Sequence, residues 1–141
     1  MTVTVTSWTK QGGSWVAWNK QTRIMQGWVE YKDKLYYIKD GFMLEGGFHD
    51  IDGQRYYFGK DGDCKYRWQE IDGHWYYFYH DDGHMVKNSL LIGRGGQVYF
   101  LDKEGRMLAN CTAEFNKSGE LCINGKPVDG SFIYDDGLAD N

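Results

Sequence analysis

Proline is almost absent from this chain of 141 residues, with Pro127 as its single occurrence. Large aliphatic side chains are sparse, whereas aromatic residues make up 17% of the sequence and glycine occurs 19 times. A single thick aliphatic core is therefore not expected. Abundant aromatics with frequent Gly and Asp favour many short strands joined by tight turns, each strand burying a little surface against its neighbours.

Several classes of function are excluded by what is missing. The formal net charge is −4 and no run of Lys or Arg occurs, so a nucleic-acid partner is not expected. No segment approaches the ~20 apolar residues that a membrane helix needs, so we expect no membrane insertion. The first seven residues lack the basic and apolar regions of a signal peptide. If the protein acts outside a cell, we expect its release by lysis or as part of a larger protein.

Cysteine and histidine are too scattered to form a recognisable catalytic or metal site. The three cysteines, Cys64, Cys111 and Cys122, are too few for a disulfide framework, and a Cys111–Cys122 bond stays open. No Cys/His grouping has the spacing of zinc ligands, and no histidine is paired in sequence with a plausible nucleophile. The sequence therefore predicts no metal, no cofactor and no catalytic residue.

Three columns of residues repeat along the chain. An aromatic residue recurs every 20 residues, and a pair of aromatics and a sulfur-containing residue recur behind it. The first column holds Trp8, Trp28, Phe48 and Trp68; the second holds Tyr36-Tyr37, Tyr56-Tyr57, Tyr76-Tyr77 and Tyr99-Phe100; the third holds Met25, Met43, Cys64, Met85 and Met107. A fixed period of this size indicates a repeat architecture.

Each period predicts one β-hairpin. Asp52-Gly53 and Asp72-Gly73 supply the positive-φ pair of a type I′ turn between aromatic strands. A lone hairpin is marginal in water, so the hairpins must stack. An apolar column that fits an inner core contains Trp18, Ile38, Phe58, Phe78 and Leu101. We predict one module over 1–141, with repeats at about 7–26, 27–46, 47–66, 67–87 and 88–109, and a C-terminal cap and tail over 110–141.

These columns resemble the choline-binding, or cell-wall-binding, repeat family of lysins, autolysins and surface proteins of Gram-positive bacteria and their phages. The best-matching segments run from Gly27-Trp28 to Met43 and from Trp68 to Met85. The resemblance implies an all-β fold, a β-solenoid of stacked β-hairpin repeats of about 20 residues. It further implies a non-catalytic module outside the cell, at the bacterial cell wall, that binds choline-decorated teichoic acid. A homo-oligomer or a catalytic lysin subunit is a further partner that the family allows.

The family pattern also implies ligand sites between consecutive repeats. Each is lined by the Trp that opens a repeat, the Trp before its Tyr pair, a Tyr of the next repeat and the intervening Met. A quaternary ammonium donates no N–H hydrogen bond, so ring faces hold it best. Complete sets occur at the first and fourth junctions, the second carries Leu35 in place of a Trp, and the third carries Arg55. The first set is Trp8, Trp15, Met25 and Tyr36; the fourth is Trp68, Trp75, Met85 and Tyr99; the weaker second is Trp28, Leu35, Met43 and Tyr56; and the third, where no choline is expected, is Phe48, Arg55, Cys64 and Tyr76.

Two other functions fit the same columns. A carbohydrate (glucan)-binding repeat module would use exposed aromatic platforms with polar edges instead of closed cages. A structural spacer would bind neither ligand, because its aromatics would serve only for packing. A response to choline favours the first function, and retention on a glucan without that response favours the second.

Overall fold

The computed structural model describes residues 2–93, 95, 98–108, 113–127 and 131–134. Over these residues the secondary structure consists of strands joined by turns, with no helix. No described helix is therefore long and apolar enough to cross a membrane. The chain divides into two compact units, Met1–Lys65 and Tyr66–Asn141, each built from hairpins. The predicted all-β fold class of stacked β-hairpin repeats is confirmed.

The first unit contains three antiparallel hairpins that follow the predicted repeats. Its strands are β1 Val3–Thr4, β2 Ser7–Gln11, β3 Ser14–Asn19, β4 Thr22–Arg23, β5 Gly27–Tyr31, β6 Lys34–Lys39, β7 Phe42–Met43, β8 Gly47–Ile51 and β9 Gln54–Phe58. Strands β2 and β3, β5 and β6, and β8 and β9 form the three hairpins. The N-terminal strand β1 pairs in parallel with β5, a contact that the sequence did not predict.

The second unit begins with the fourth hairpin. Its strands are β10 Arg67–Ile71, β11 His74–Phe78, β12 Ser89–Ile92, β13 Val98–Leu101, β14 Ala113–Phe115, β15 Leu121–Ile123, β16 Lys126–Pro127 and β17 Ser131–Tyr134. Strands β10 and β11, β12 and β13, and β14 and β15 are antiparallel pairs, and β17 pairs in parallel with β12. The segment predicted as a C-terminal cap therefore contains a hairpin, formed by β14 and β15.

Tight turns set the register of the hairpins. Asp52 and Gly53 have φ of 51° and 82°, and Asp72 and Gly73 have 51° and 81°, as the predicted type I′ turns require. The second hairpin instead turns through Lys32-Asp33, with φ of 50° and 65°. The sequence did not predict this turn, because neither residue is glycine.

The inner core follows the predicted apolar column. Ile38, Phe58, Phe78 and Leu101 are fully buried, whereas Trp18 is half-buried and its indole Nε1 donates to Thr9 Oγ1 at 2.8 Å. Side chains alternate across each strand, so Trp15 and Trp75, each three residues before a member of this column, lie on the opposite face of their strand. Both stay partly exposed, at 39% and 41%. Cys111 and the acidic tail that includes Asp135 lie outside the described residues.

Candidate ligand-binding site

One aromatic pair recurs between consecutive repeats. The Trp that opens a repeat lies edge-on to a Tyr of the next repeat, with ring centroids about 5 Å apart. The pairs are Trp8–Tyr36 at 5.2 Å, Trp28–Tyr56 at 4.9 Å and Trp68–Tyr99 at 5.1 Å. Such edge-to-face rings form two walls of a corner. The predicted pairing of the first and second columns is therefore present at the first, second and fourth junctions.

The first junction encloses a cavity. Trp8, Trp15 and Tyr36 line a volume of about 440 Å³, which is in the usual range for small-molecule sites. Tyr31 adds a fourth ring, with its centroid 6.0 Å from that of Trp8 at an interplanar angle of 88°. Trp15 keeps 39% of its surface exposed, so its ring can still be covered by a ligand. Three of the four residues that the sequence predicted for this set therefore face one volume.

Charged side chains line the same cavity on several sides. Lys10 comes from the first repeat, Glu45 from the second, and Lys60 and Asp61 from the third. The pKa of Tyr36 is raised above its ordinary value of 10.0, first by burial and then by the nearby carboxylates of Asp63 and Asp61. Acidic groups thus lie close enough to the phenol to oppose its ionisation. A cation in the cavity would be attracted by the same groups.

The sulfur column is displaced by one repeat from the predicted sets. Met25 is 53% exposed and is not among the residues lining the first cavity, whereas Met43 of the next repeat is buried and lines it. The backbone shows the same offset, since the amide of Cys64 donates to the carbonyl of Leu35 and the amide of Met107 donates to that of Trp75, both at 2.8 Å. The placement of Met25 in the first set therefore has to be corrected. The offset between stacked repeats thus brings Met43, Cys64 and Met107 against the hairpin that precedes their own repeat.

The second set contains Trp28, Leu35 and Tyr56 as predicted, with Cys64 in place of Met43. These four side chains belong to one apolar cluster around the buried Tyr56 and Cys64. Trp28 additionally stacks on Phe58, with ring centroids 5.9 Å apart and 21° between the planes. Leu35 packs against this cluster and gives the site an aliphatic wall.

The fourth set lies in the second unit. Trp68 is edge-on to Trp75, with centroids 6.4 Å apart and 79° between the planes, and Tyr99 completes the corner. Trp75 is 41% exposed, which is close to the exposure of Trp15 in the first set. Met107, half-buried, packs in the cluster around Trp68 and Tyr99. Met85, predicted for this set, is buried instead against Gly105 of the following repeat.

Arg55 occupies the second ring position of the third repeat. Its guanidinium lies 5.7 Å from the centroid of Phe48, and its Nε donates to the carboxylate of Asp50 at 2.8 Å. A protein cation therefore already lies over this ring. That arrangement is compatible with the prediction that no choline binds at this position, which stays a prediction.

The sequence did not identify the residues that give the first cavity its charge. Lys10 and Asp61 lie at recurring positions, but neither position was expected to line a ligand site, and Tyr31 precedes a turn without glycine. A signal was present for Lys10, because pairing of β2 with β3 places it directly opposite Trp15. The residues from the third repeat could not be found in this way, since their position depends on the stagger between repeats.

Successive β-hairpins with aromatic pairs between them define a hairpin-repeat protein. Residues 67–111 match the family model described as choline-binding repeat, and residues 46–64 match the model described as cell wall binding repeat. Over these two segments the chain resembles the choline-binding, cell-wall-binding repeat family. A search among curated proteins gives no match.

Solved structures share this fold. Choline binding protein F from Streptococcus pneumoniae, in the presence of a peptidoglycan analogue, has a TM-score of 0.67 at 24% identity, over 83% of this chain and 45% of that one. CbpJ from the same species gives 0.69 at 21% identity, over 83% and 45%. The multimodular pneumococcal cell wall endolysin from phage Cp-1, complexed with choline, gives 0.58 at 22% identity, over 91% and 41%. The chain thus spans less than half the length of each of these structures.

Proposed function

We propose that this chain is a non-catalytic cell-wall-binding module that recognises choline on teichoic acids through aromatic cages between its repeats. The observation that carries the proposal is the first cavity, where Trp8, Trp15 and Tyr36 from two successive repeats line one volume. The family match and the repeated Trp–Tyr corner support it. In this role the chain is the targeting part of a lytic or surface protein.

The chemistry of the cavity fits an organic cation. Ring faces attract a quaternary ammonium through their quadrupoles, and their carbon atoms cover its methyl groups. The charged residues of the lining balance, since Glu45 and Asp61 are matched by Lys10 and Lys60. The preference for a cation over a neutral sugar of similar size therefore rests on the ring faces.

The expected affinity of one cage is low. Cation–π contacts contribute ~0.5–2 kcal/mol each. A cage of three rings, after the cost of association, gives about −4 kcal/mol, or a Kd on the order of 1 mM. Two linked cages on a polymer that displays many cholines gain roughly 10² to 10⁴ in avidity. Weak single sites are therefore compatible with firm attachment to a cell wall.

A choline titration followed by tryptophan fluorescence tests the proposal. We expect a saturable change in the millimolar range, a rise in Tm with choline, and elution from a tertiary-amine resin by free choline. Trp15→Ala should weaken the response, whereas Trp18→Phe is a matched control because Trp18 does not line the cavity. No response by any of these measurements would overturn the proposal.

The same experiment separates choline from carbohydrate. The exposed ring faces of Trp15 and Trp75 are the feature that a glucan-binding platform would use. Retention on an insoluble glucan together with indifference to choline would favour that alternative.

The absence of catalysis and the cell-wall location are tested separately. The purified chain should bind choline-containing walls, should be displaced by free choline, and should release no soluble wall fragments. Measurable wall hydrolysis by the chain alone would contradict a purely binding role. Light scattering with and without choline tests the homo-oligomer, and a monomeric mass in both conditions would exclude it.

A further inference from the structure

One charged position differs in sign between the two complete ring sets. In the antiparallel pairing of the first hairpin, Lys10 lies directly opposite Trp15. In the fourth hairpin the equivalent residue, directly opposite Trp75, is Glu70. Residues opposite each other in an antiparallel pair have Cβ atoms about 4.5–5.5 Å apart, so this charge is next to the ring. The two sites therefore share their aromatic geometry and differ in the charge beside it.

Lys10 already uses the ring that a ligand would need. Its Nζ lies 5.1 Å from the centroid of Trp15, within the ~6 Å range of a cation–π contact, and Lys10 lines the first cavity. Lys10 forms no ion pair among the described residues. Its ammonium is thus held over the ring without a carboxylate partner.

The third hairpin also holds a cation of the protein over a ring, although the two partners occupy other positions of the repeat. Arg55, at the position of Trp15, lies over the ring of Phe48, at the position of Trp8, and is fixed by Asp50, its cross-strand neighbour. A side chain of this protein can therefore occupy an aromatic face of a repeat. Lys10, which has no such anchor, can be displaced by a ligand that competes for the face.

We propose that Lys10 is a tethered competitor for the face of Trp15, and that the residue opposite the second Trp sets the relative affinity of the two cages. The inference rests on the proposed binding of an organic cation. Lys10 lowers the affinity of the first cage, because the ligand must displace an ammonium and then lies beside it. Glu70 raises the affinity of the fourth cage, because its carboxylate attracts the ligand. Choline therefore fills the fourth cage first.

Residue-specific NMR measures the two cages separately. The indole N–H signals of Trp15 and Trp75 are followed during titration with choline chloride at constant ionic strength. For the wild type we expect the Kd at Trp75 to be about threefold lower than at Trp15. Lys10→Gln should lower the Kd at Trp15 about threefold, and Lys10→Glu about tenfold, with Trp75 unchanged.

The reciprocal variant and a charge control complete the design. Glu70→Lys should raise the Kd at Trp75 about tenfold and leave Trp15 unchanged. Lys39→Glu makes the same change in net charge as Lys10→Glu, at an exposed position of β6 that does not line the first cavity. It should therefore alter the Kd at neither site by more than about twofold. Lys10 and Glu70 are exposed, so these variants should fold as the wild type does.

The outcomes distinguish this inference from the proposed function. If both indoles titrate but Lys10→Gln leaves the Kd at Trp15 unchanged, Lys10 does not compete, although choline binding stands. A second readout is the ε-methylene signal of Lys10, which the ring of Trp15 should shift upfield and choline should return to its ordinary position. If neither indole responds to choline, the proposed function fails, and this inference fails with it.

Discussion

The first and fourth ring sets have the same walls but different charges. Their Trp–Tyr corners have nearly equal centroid distances, 5.2 and 5.1 Å, and the second Trp of each is exposed to a similar extent. The ring beside Lys10 faces a cation of the protein itself, whereas the ring beside Glu70 faces an anion. Stacking of the repeats therefore brings the rings together, and exposed strand positions are free to set the electrostatics.

The second set shows what happens when a wall is replaced. Trp28 and Tyr56 keep the corner at 4.9 Å, although Leu35 takes the place of the second Trp. The corner thus depends on stacking of the repeats and not on the presence of a complete cage. The stacking of the repeats and the exposed rings can therefore be tested separately, beginning with the stacking.

The largest effect on stability is expected at Gly62, against which the side chain of Met43 packs. Gly62 has φ of +88°, and a Cβ there would collide with Met43, which lines the first cavity. Gly62→Ala should cost about 3 kcal/mol of unfolding free energy, combining a left-handed backbone with overpacking. Gly13 has nearly the same φ, +86°, with open space around it, so Gly13→Ala should cost only about 1 kcal/mol.

Urea unfolding of the two glycine variants measures this difference. Gly105 has φ of +87° and is covered by Met85, so Gly105→Ala tests the same packing in the second unit. Equal losses of unfolding free energy for Gly62→Ala and Gly105→Ala would show that methionine packs equally tightly on the turn glycine in both units. Equal costs for Gly62→Ala and Gly13→Ala would mean that Met43 moves aside freely.

Removal of one exposed ring should weaken one site and spare the other. Trp15→Ala should weaken choline binding at the first cavity roughly tenfold, since a ring in a cage contributes ~1–2 kcal/mol. The Kd measured at Trp75 should not change. Because Trp15 is 39% exposed, Tm without choline should fall only slightly. Trp75→Ala should give the mirror result, and a loss at both sites from either variant would contradict two separate cages.

A ring added at the second set should have a smaller, positive effect. Leu35→Trp restores the missing wall opposite Glu30, an acidic neighbour like Glu70. We expect one additional choline site, detected as a higher stoichiometry in calorimetry, with a gain of about 1 kcal/mol over the wild-type site. Leu35→Phe is a milder control. Unchanged stoichiometry for both would indicate that packing around Cys64 leaves no room for a ligand.

Much of the fold and of the ring sets could be predicted because both depend on spacing within one repeat. The turn follows from the residue pair Asp52-Gly53, and the buried positions Ile38 and Phe58 follow from an apolar column that recurs with the repeat. No periodic pattern in the sequence gives the offset between one stacked repeat and the next. For this reason the sequence placed Met25 in the first cavity, whereas stacking brings Met43 there.

The same limit applies to the ends of the chain and to the charges. The parallel pairing of β1 with β5 depends on contacts distant in sequence, and only two residues of β1 form it. Asp61 belongs to the third repeat, and it lines the first cavity because stacked repeats are offset from one another. Within one hairpin, by contrast, the opposition of Lys10 and Trp15 could have been read from the turn at Gly12-Gly13.

The smallest effect concerns the phenol of Tyr36. Burial, then the carboxylates of Asp63 and Asp61, raise its pKa above 10.0, so the folded state holds this proton more tightly than the unfolded state. The resulting stability is fully present below the unfolded pKa and is lost as pH rises through the folded pKa. A bound cation favours the phenolate, so choline should lower the pKa of Tyr36, and Asp61→Asn should lower it as well. An NMR titration of the Tyr36 ring carbon with and without choline measures the shift, with Asp52→Asn, in a turn outside the first cavity, as the control. If choline saturates Trp15 and leaves the pKa of Tyr36 unchanged, the cation binds at the outer face of Trp15 and not between the rings.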